Sequence, residues 1–310
     1  MKVLVLGATG MLGSMVLDYF KRHTNYTLAA TVRGKNVPNE VRQVEFLPLD
    51  ASTASVDELS ALLSDVDWVI NCIGVIKPYI KDNNPVEVAN AVRINSLFPH
   101  NLANAVGNTS ARVLQIATDC VYSGKIGFYK ETDNHDAEDV YGRSKSLGEP
   151  QVQRFHNLRV SIIGPEKKVH SSLLDWFLSH PKGATVKGYA NHTWNGITTL
   201  HFAKLCLGII ENNTELSNLQ HVVPANALNK YQMLQCFKSC YGREDLKIEE
   251  FETPQPIHRT LATDGASANE QLWSRAGYEK VPTIETMVEE MAGYSLNKDN
   301  EKVKKKNAAA

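Results

Sequence analysis

Several things are scarce in this chain of 310 residues. Its five cysteines, at 72, 120, 206, 236 and 240, are odd in number and irregular in spacing. That excludes a disulfide framework and fits no zinc-ligand pattern. Cys236 and Cys240 stand one helical turn apart, and two thiols alone read as core filling. The ten histidines form no close pair at ligand spacing, so no metal is expected. No apolar run approaches the roughly 20 residues of a spanning helix. The first residues lack the basic segment and cleavage site of a secretory leader. A net charge of −1 offers no basic face to nucleic acid or to an anionic membrane. No internal repeat is present. The expectation is a reduced, metal-free, cytoplasmic protein with neither nucleic acid nor membrane as partner. Apolar content of 43% with 22% charged residues suits a globular enzyme with a large core.

What is present begins at the N-terminus. Val3-Leu4-Val5-Leu6 is fully apolar, as a buried parallel strand should be. Gly7-Ala8-Thr9-Gly10-Met11-Leu12-Gly13 follows, and then a helical pattern with Met11, Leu12, Met15, Val16, Tyr19 and Phe20 on one side. Strand, glycine turn and helix form the context of a dinucleotide fingerprint, here spaced Gly-x-x-Gly-x-x-Gly. The glycines permit a tight turn and bring backbone amides to a pyrophosphate at the helix N-terminus. Gly7, Thr9, Gly10, Met11 and Leu12 are the candidate contacts.

A second signal lies downstream. Tyr141 and Lys145 are four apart, one turn from each other on one helix face. An ammonium beside a phenol favours the phenolate and makes the tyrosine a usable proton donor near neutrality. Thr118 adds a hydroxyl for the same substrate oxygen.

The elements between these signals alternate. Strand patterns cover 2–6, 28–32, 44–46, 68–70, 113–117 and 158–163. Helical patterns cover 11–22, 56–63, 86–106 and 141–154, with Pro150 ending or kinking the last. The fold class expected is α/β, a doubly wound parallel Rossmann sheet. After Gly164 the alternation loosens into helices near 172–179, 200–211, 230–241, 268–276 and 284–292. Residues 1–164 read as the Rossmann domain and 165–295 as a smaller, mainly helical lobe, with segments around 190–225 returning to the sheet. Residues 296–310 read as a polar, frayed tail.

The motifs resemble the extended short-chain dehydrogenase/reductase superfamily, and within it the dTDP-4-dehydrorhamnose reductase family of sugar-nucleotide reductases. The likeness rests on Gly-Ala-Thr-Gly-Met-Leu-Gly, Asn71-Cys72-Ile73-Gly74, Ile94-Asn95, Ala117-Thr118-Asp119, Tyr141-Gly142-Arg143-Ser144-Lys145 with Gly148-Glu149, Leu158 to Ser161, and Asn195 to Thr199. It implies that the C-terminal lobe covers a nucleotide-sugar substrate. It also implies that Thr118, Tyr141 and Lys145 are catalytic and that Asn95 steadies the site through a water. The alternative for Asn95 is a local kink bonded to its own backbone. A homodimer through the helices carrying Asn95 and Tyr141 is a further implication.

The cofactor can be argued from the second strand, which ends Thr31-Val32-Arg33-Gly34-Lys35. A carboxylate there would grip the ribose of NAD; a basic residue accommodates a 2′-phosphate. Arg33, with Lys35 close by, favours NADP(H), with NAD(H) as the alternative. The resemblance places Asp50 and Ala51 at the adenine, and Cys72, Ile73 and Gly74 beside the ribose and pyrophosphate. Related 4,6-dehydratases carry a glutamate where Cys120 stands, so dehydration is disfavoured. Many 4-epimerases have a serine-rich segment at 117–119, so simple epimerisation is also disfavoured; a sugar-nucleotide epimerase or a combined epimerase/reductase is the second enzyme reading. The reductases themselves typically have an aromatic residue at Cys120. Candidate substrate contacts are Val75, Lys77, Cys120, Val121 and Tyr122 after the central strands, and Trp194, Asn195 and Arg259 from the lobe. Arg259 suits a diphosphate, since a guanidinium forks onto phosphate oxygens. The function expected is NADPH-dependent reduction of a nucleoside-diphosphate 4-keto-6-deoxyhexose. A nucleotide-binding partner protein, like the regulatory subunit of methionine adenosyltransferase, is the reading from another class.

Overall fold

The computed structural model describes residues 1–34, 44–166 and 172–294. Lys35 and the 296–310 tail lie outside them. The N-terminal half runs β1 (Lys2–Leu6), α1 (Met11–His23), β2 (Thr27–Val32), β3 (Val44–Pro48), α2 (Val56–Leu62), β4 (Trp68–Asn71), α3 (Pro85–Ala91), α4 (Phe98–Gly107), β5 (Arg112–Ala117), α5 (Val140–Leu147) and β6 (Phe155–Arg159). The remainder runs β7 (Ile162–Ile163), α6 (Leu173–Leu178), β8 (Thr185–Tyr189), β9 (His192–Trp194), β10 (Ile197–Thr198), α7 (Thr199–Glu211), β11 (Leu219–His221), β12 (Leu228–Asn229), α8 (Lys230–Cys240), β13 (Lys247–Phe251), β14 (Ile257–Arg259) and α9 (Ala266–Arg275). A last helix, α10, covers 284–294.

Seven strands form one parallel sheet in the order β11-β6-β5-β4-β1-β2-β3. The alternation of β1 assigns the two faces. Val3 and Val5 pack in one core with Met15, Val16 and Phe20 of α1 and with α7 and α10. Leu4 and Leu6 pack in the other with Leu59 of α2 and Phe98 and Leu102 of α4. Because both faces are covered, the sheet is doubly wound, and its central strands are mostly apolar, with Asn71 of β4 and Gln115 of β5 buried among them. α7 is apolar on nearly every side and is buried from Thr199 to Ala203 and from Leu205 to Ile210. It lies against α1, so the chain returns to the sheet before adding β11.

Three elements differ from the sequence expectation. The helix expected over 86–106 is α3 and α4 joined by a π-helical turn, Val92–Leu97. Pro99 has no N–H for the carbonyl four residues back, which is that of Asn95, so regular α-helix is interrupted there. The strand expected over 158–163 breaks after Arg159. β7 leaves the main sheet and pairs with β10. α5 stops at Leu147, just ahead of Pro150, rather than at Arg154. Beyond residue 164 the helices are joined by short strands, with β12-β9-β14 and β13-β8 forming two small sheets.

Candidate active site

The C-terminal ends of β1, β4 and β5 open onto one cavity of about 560 Å³. Gly10, Met11 and Leu12 line it at one end, with Cys72, Ile73 and Gly74 beside them. Gly7 has φ +79°, and a Cβ on Gly13 would stand 2.3 Å from the Gly7 carbonyl oxygen. Glycine is thus required for α1 to start so close to the strand. Gly10 caps α1 without a side-chain hydrogen bond, and no acidic residue occupies the first turn. The first-turn amides are therefore open to an anion, as a pyrophosphate cradle requires. Thr31 accepts the Gly7 N–H at 3.0 Å.

The 72–74 run is fixed by buried amides. Asn71 Oδ1 accepts the Ile73 N–H at 3.1 Å, and Asn71 Nδ2 donates to Gln115 at 2.8 Å. Gln115 in turn donates to the Gly148 carbonyl and to Asn157. Asn95, on the π-turn, accepts the Val75 N–H at 2.8 Å and donates to the Val75 carbonyl at 3.0 Å and to Ser144 Oγ at 3.1 Å. It therefore joins the loop after β4 to α5 rather than bonding its own backbone. Gly148 lies on the same turn, where a Cβ would fall 1.7 Å from the Asn95 carbonyl oxygen.

Thr118 follows β5 and caps a single 3-10 turn, Asp119–Val121. Its Oγ1 accepts the Cys120 N–H and donates to Asp119. α5 is pressed onto this turn, since a Cβ on Gly142 would meet the Cys120 carbonyl oxygen at 2.2 Å. Asp139 caps α5 through the Gly142 N–H and holds the Lys77 ammonium at 2.5 Å. This packing brings Thr118, Tyr141 and Lys145 to one wall of the cavity. Lys145 Nζ donates to the Ile116 carbonyl at 3.0 Å, and burial lowers its pKa to about 8. Burial also raises the Tyr141 phenol well above its ordinary value; the neighbouring Thr118 hydroxyl offsets part of that rise. This corrects the expectation of a phenol held low by Lys145, because desolvation dominates and the offsetting hydrogen bond comes from Thr118.

Cys120, Trp194 and Arg259 line the same cavity. Burial pushes the Cys120 thiol up to about 12, so it is no base near neutrality. Five other expected substrate contacts are not part of the cavity lining. Val75 is occupied through its main chain by Asn95, and Lys77 by Asp139. Val121 is fully buried in a small core with Tyr122, Tyr129 and Leu261. Tyr122 donates to the Lys130 carbonyl and stacks on Tyr129 at 4.3 Å. Asn195 exchanges two hydrogen bonds with the Leu261 main chain. Gly7 and Thr9 belong to the turn but not to the cavity wall. Arg33, Asp50 and Ala51 follow the ends of β2 and β3, outside the cavity. Ser52, and after it Arg33, holds the Asp50 carboxyl below its usual range.

Asp119, Ser161, His192 and Lys230, not anticipated as site residues, also lie in the cavity wall. Asp119 is buried, which raises its carboxyl pKa against the opposing effect of Arg259. Lys230 opens α8, its Nζ 5.4 Å from the Trp194 ring centre, and burial lowers its pKa to about 8. Its only sequence signal is the capping box Asn229-x-x-Gln232, which marks a helix start and not a site. Among the described residues, no three His, Cys, Asp or Glu side chains converge to hold a metal, and no helix is long and apolar enough to cross a membrane.

A doubly wound sheet whose glycine turn, threonine, tyrosine and lysine meet at one cavity defines the extended short-chain dehydrogenase/reductase class. Within that class the chain belongs to the family described as the RmlD substrate binding domain, which matches residues 1–172. A probable low-salt glycan biosynthesis reductase of Haloferax volcanii is 31% identical over 170 residues, 53% of this chain and 54% of that protein. The chain thus spans about half the length of that relative. Methionine adenosyltransferase 2 subunit beta of Xenopus tropicalis is 24% identical over 84% of this chain and 77% of its own. The dTDP-4-dehydrorhamnose reductase of Bacillus anthracis str. Ames, solved with NADP, superposes with a TM-score of 0.70 at 17% identity, covering 94% of this chain and 98% of that one.

Proposed function

We propose that the protein is an NADPH-dependent reductase of a nucleoside-diphosphate 4-keto-6-deoxyhexose, serving deoxysugar and surface polysaccharide synthesis. The observation that carries this reading is the convergence of Thr118, Tyr141 and Lys145 on the cavity that Gly10 to Leu12 and Cys72 to Gly74 also line. When bound, the nicotinamide supplies hydride to the ketone carbon. Thr118 and Tyr141 donate hydrogen bonds to the ketone oxygen, and Tyr141 delivers the proton that completes the alcohol. The Lys145 ammonium steadies the ribose and the negative charge left on Tyr141. A tyrosine that stays protonated through neutrality suits a proton donor. Arg33 favours the 2′-phosphate of NADPH, with NADH as the alternative, and Asp50 and Ala51 meet the adenine. Residues 1–164 hold the cofactor and 165–295 cover the sugar. Arg259 takes the diphosphate, while Cys120 and Trp194 border the sugar. Cys120, with its raised thiol, disfavours elimination.

The test is NADPH oxidation with dTDP-, UDP- and GDP-4-keto-6-deoxyhexoses, wild type beside Tyr141→Phe. Consumption with one sugar that drops about 10²- to 10⁴-fold in the variant is expected. Turnover without net oxidation would indicate the epimerase. NADPH binding with no turnover of any sugar would favour the partner-protein reading, which the breadth of the match to methionine adenosyltransferase 2 subunit beta supports.

A further inference from the structure

Behind the catalytic helix lies a polar hub with no part in the chemistry above. Arg159 of β6 is completely buried, and its five N–H groups are all engaged. Nε and Nη2 donate to the two carboxylate oxygens of Glu149, at 3.2 and 2.5 Å. Nη1 donates to Tyr122 Oη at 2.7 Å and meets His221 Nε2 at 2.9 Å. Nη2 also meets His135 Nε2 at 2.7 Å. A guanidinium can only donate, so both imidazoles must accept at Nε2. Both are then neutral and carry their proton on Nδ1. Those protons have acceptors: Ala262 O for His221 and Ser146 Oγ for His135, each at 2.6 Å. His221 is fully buried and ties the hub to the 259–264 segment, away from α5. His135 is reached by solvent, and its partner Ser146 adjoins Lys145 on α5.

We propose that His135 is a positioning residue for the reaction: as a neutral imidazole it links Arg159 to Ser146 and so fixes the helix that carries Tyr141 and Lys145. The proposal rests on the reductase reading for its kinetic consequence but not for its structural one. Protonating His135 sets an N–H against a guanidinium that has nothing to accept with. The link opens and Ser146 loses its tie to Arg159, so α5 keeps only the tie through Glu149 just beyond its end. The groups around the ring agree with a neutral state. Burial and then Arg159 push its pKa below the ordinary 6.5, while Glu149 and Asp136 oppose them. Tyr122 packs edge-on to the ring at 5.5 Å and contributes no charge near neutrality. The linked form is therefore present above the folded pKa of His135, which lies below 6.5, and is lost as pH falls through it.

The experiment compares wild type with His135→Asn, His135→Ala, Ser146→Ala and the His135→Ala/Ser146→Ala double variant. Asparagine keeps an N–H for Ser146 and does not titrate. In wild type kcat should show an acid limb below 6.5 with unchanged substrate KM, and the limb should vanish in His135→Asn. His135→Ala and Ser146→Ala should each lower kcat about tenfold at all pH, as a small misplacement of the proton donor would, and the double variant no further. A limb that persists in His135→Asn, or losses that multiply in the double variant, would overturn the proposal. Imidazole ¹⁵N spectra and amide exchange over 143–147 need no turnover. An Nδ1–H tautomer, with exchange that quickens on acidification in wild type but not in His135→Asn, supports the proposal even if no keto-sugar is reduced. An Nε2–H tautomer sinks it.

Discussion

Lys145 and Lys230 line one cavity and share one direction of shift, yet their roles can be separated. Burial brings each to about 8, below the 10.5 of an exposed lysine. Folding favours the neutral form of each, so their contribution to stability rises as pH climbs from about 8 towards 10.5. Function should move the other way, because the ammonium of Lys145 is what the proton transfer needs. kcat/KM should fall as pH rises through about 8, and Lys230→Met should leave that limb in place. A pH–rate profile of wild type and variant, with thermal melts alongside, checks both halves. At this scale the motif residues were legible, since Tyr141 and Lys145 share a helix face whatever surrounds them. Tyr122 and Val121 were not. The 3-10 turn after Thr118 rotates them into the core, and no local pattern announces that rotation. Trp194 and Asn195 show the same limit. Neighbours on extended backbone point to opposite sides, so only Trp194 reaches the cavity.

At the scale of elements, the π-turn carries the most consequence. Its widened backbone places Asn95 where the side chain serves Val75 and Ser144 together. Asn95→Leu would leave a partly buried N–H and carbonyl of Val75 without their side-chain partner, at up to about 1 kcal/mol each. Thermal unfolding should show a loss of that order, and NADPH affinity should weaken as the 72–75 loop loosens. Asn95→Asp, which keeps the acceptor for the Val75 N–H, should do less harm. The sequence announced Asn95 as an oddity within a helix but not the π-turn, because Pro99 acts on a carbonyl four residues earlier. The strands β1, β2, β4 and β5 were legible because two-sided burial demands apolar runs, whereas β6, Phe-His-Asn-Leu-Arg, carries no such run and its expected bounds were shifted. The strands from β7 to β14 are two to five residues long, and most of their residues are not fully buried. Such segments carry no usable period.

Across the whole molecule, the sheet is not made from one stretch of chain. β6 pairs with β5 on one side and with β11 on the other, Asn157 opposite Leu219. Between these partners the chain builds β7 to β10 with α6 and α7. A chain ending at 172, the limit of the family match, would therefore present β6 as an open edge and leave the α1 face without α7 and α10. Such a fragment should aggregate on expression, whereas one extended through 294 should stay monodisperse in size-exclusion chromatography. The closure by β11 also sets an order of events during synthesis. The first six strands leave the ribosome with one apolar face bare and one strand edge unpaired, and they wait for residues 199–221 and 284–294 to arrive. Pairing across that sequence distance is slow. The vulnerable period of this protein is thus its translation, when a chaperone or a passing strand competes for the edge that β11 will occupy.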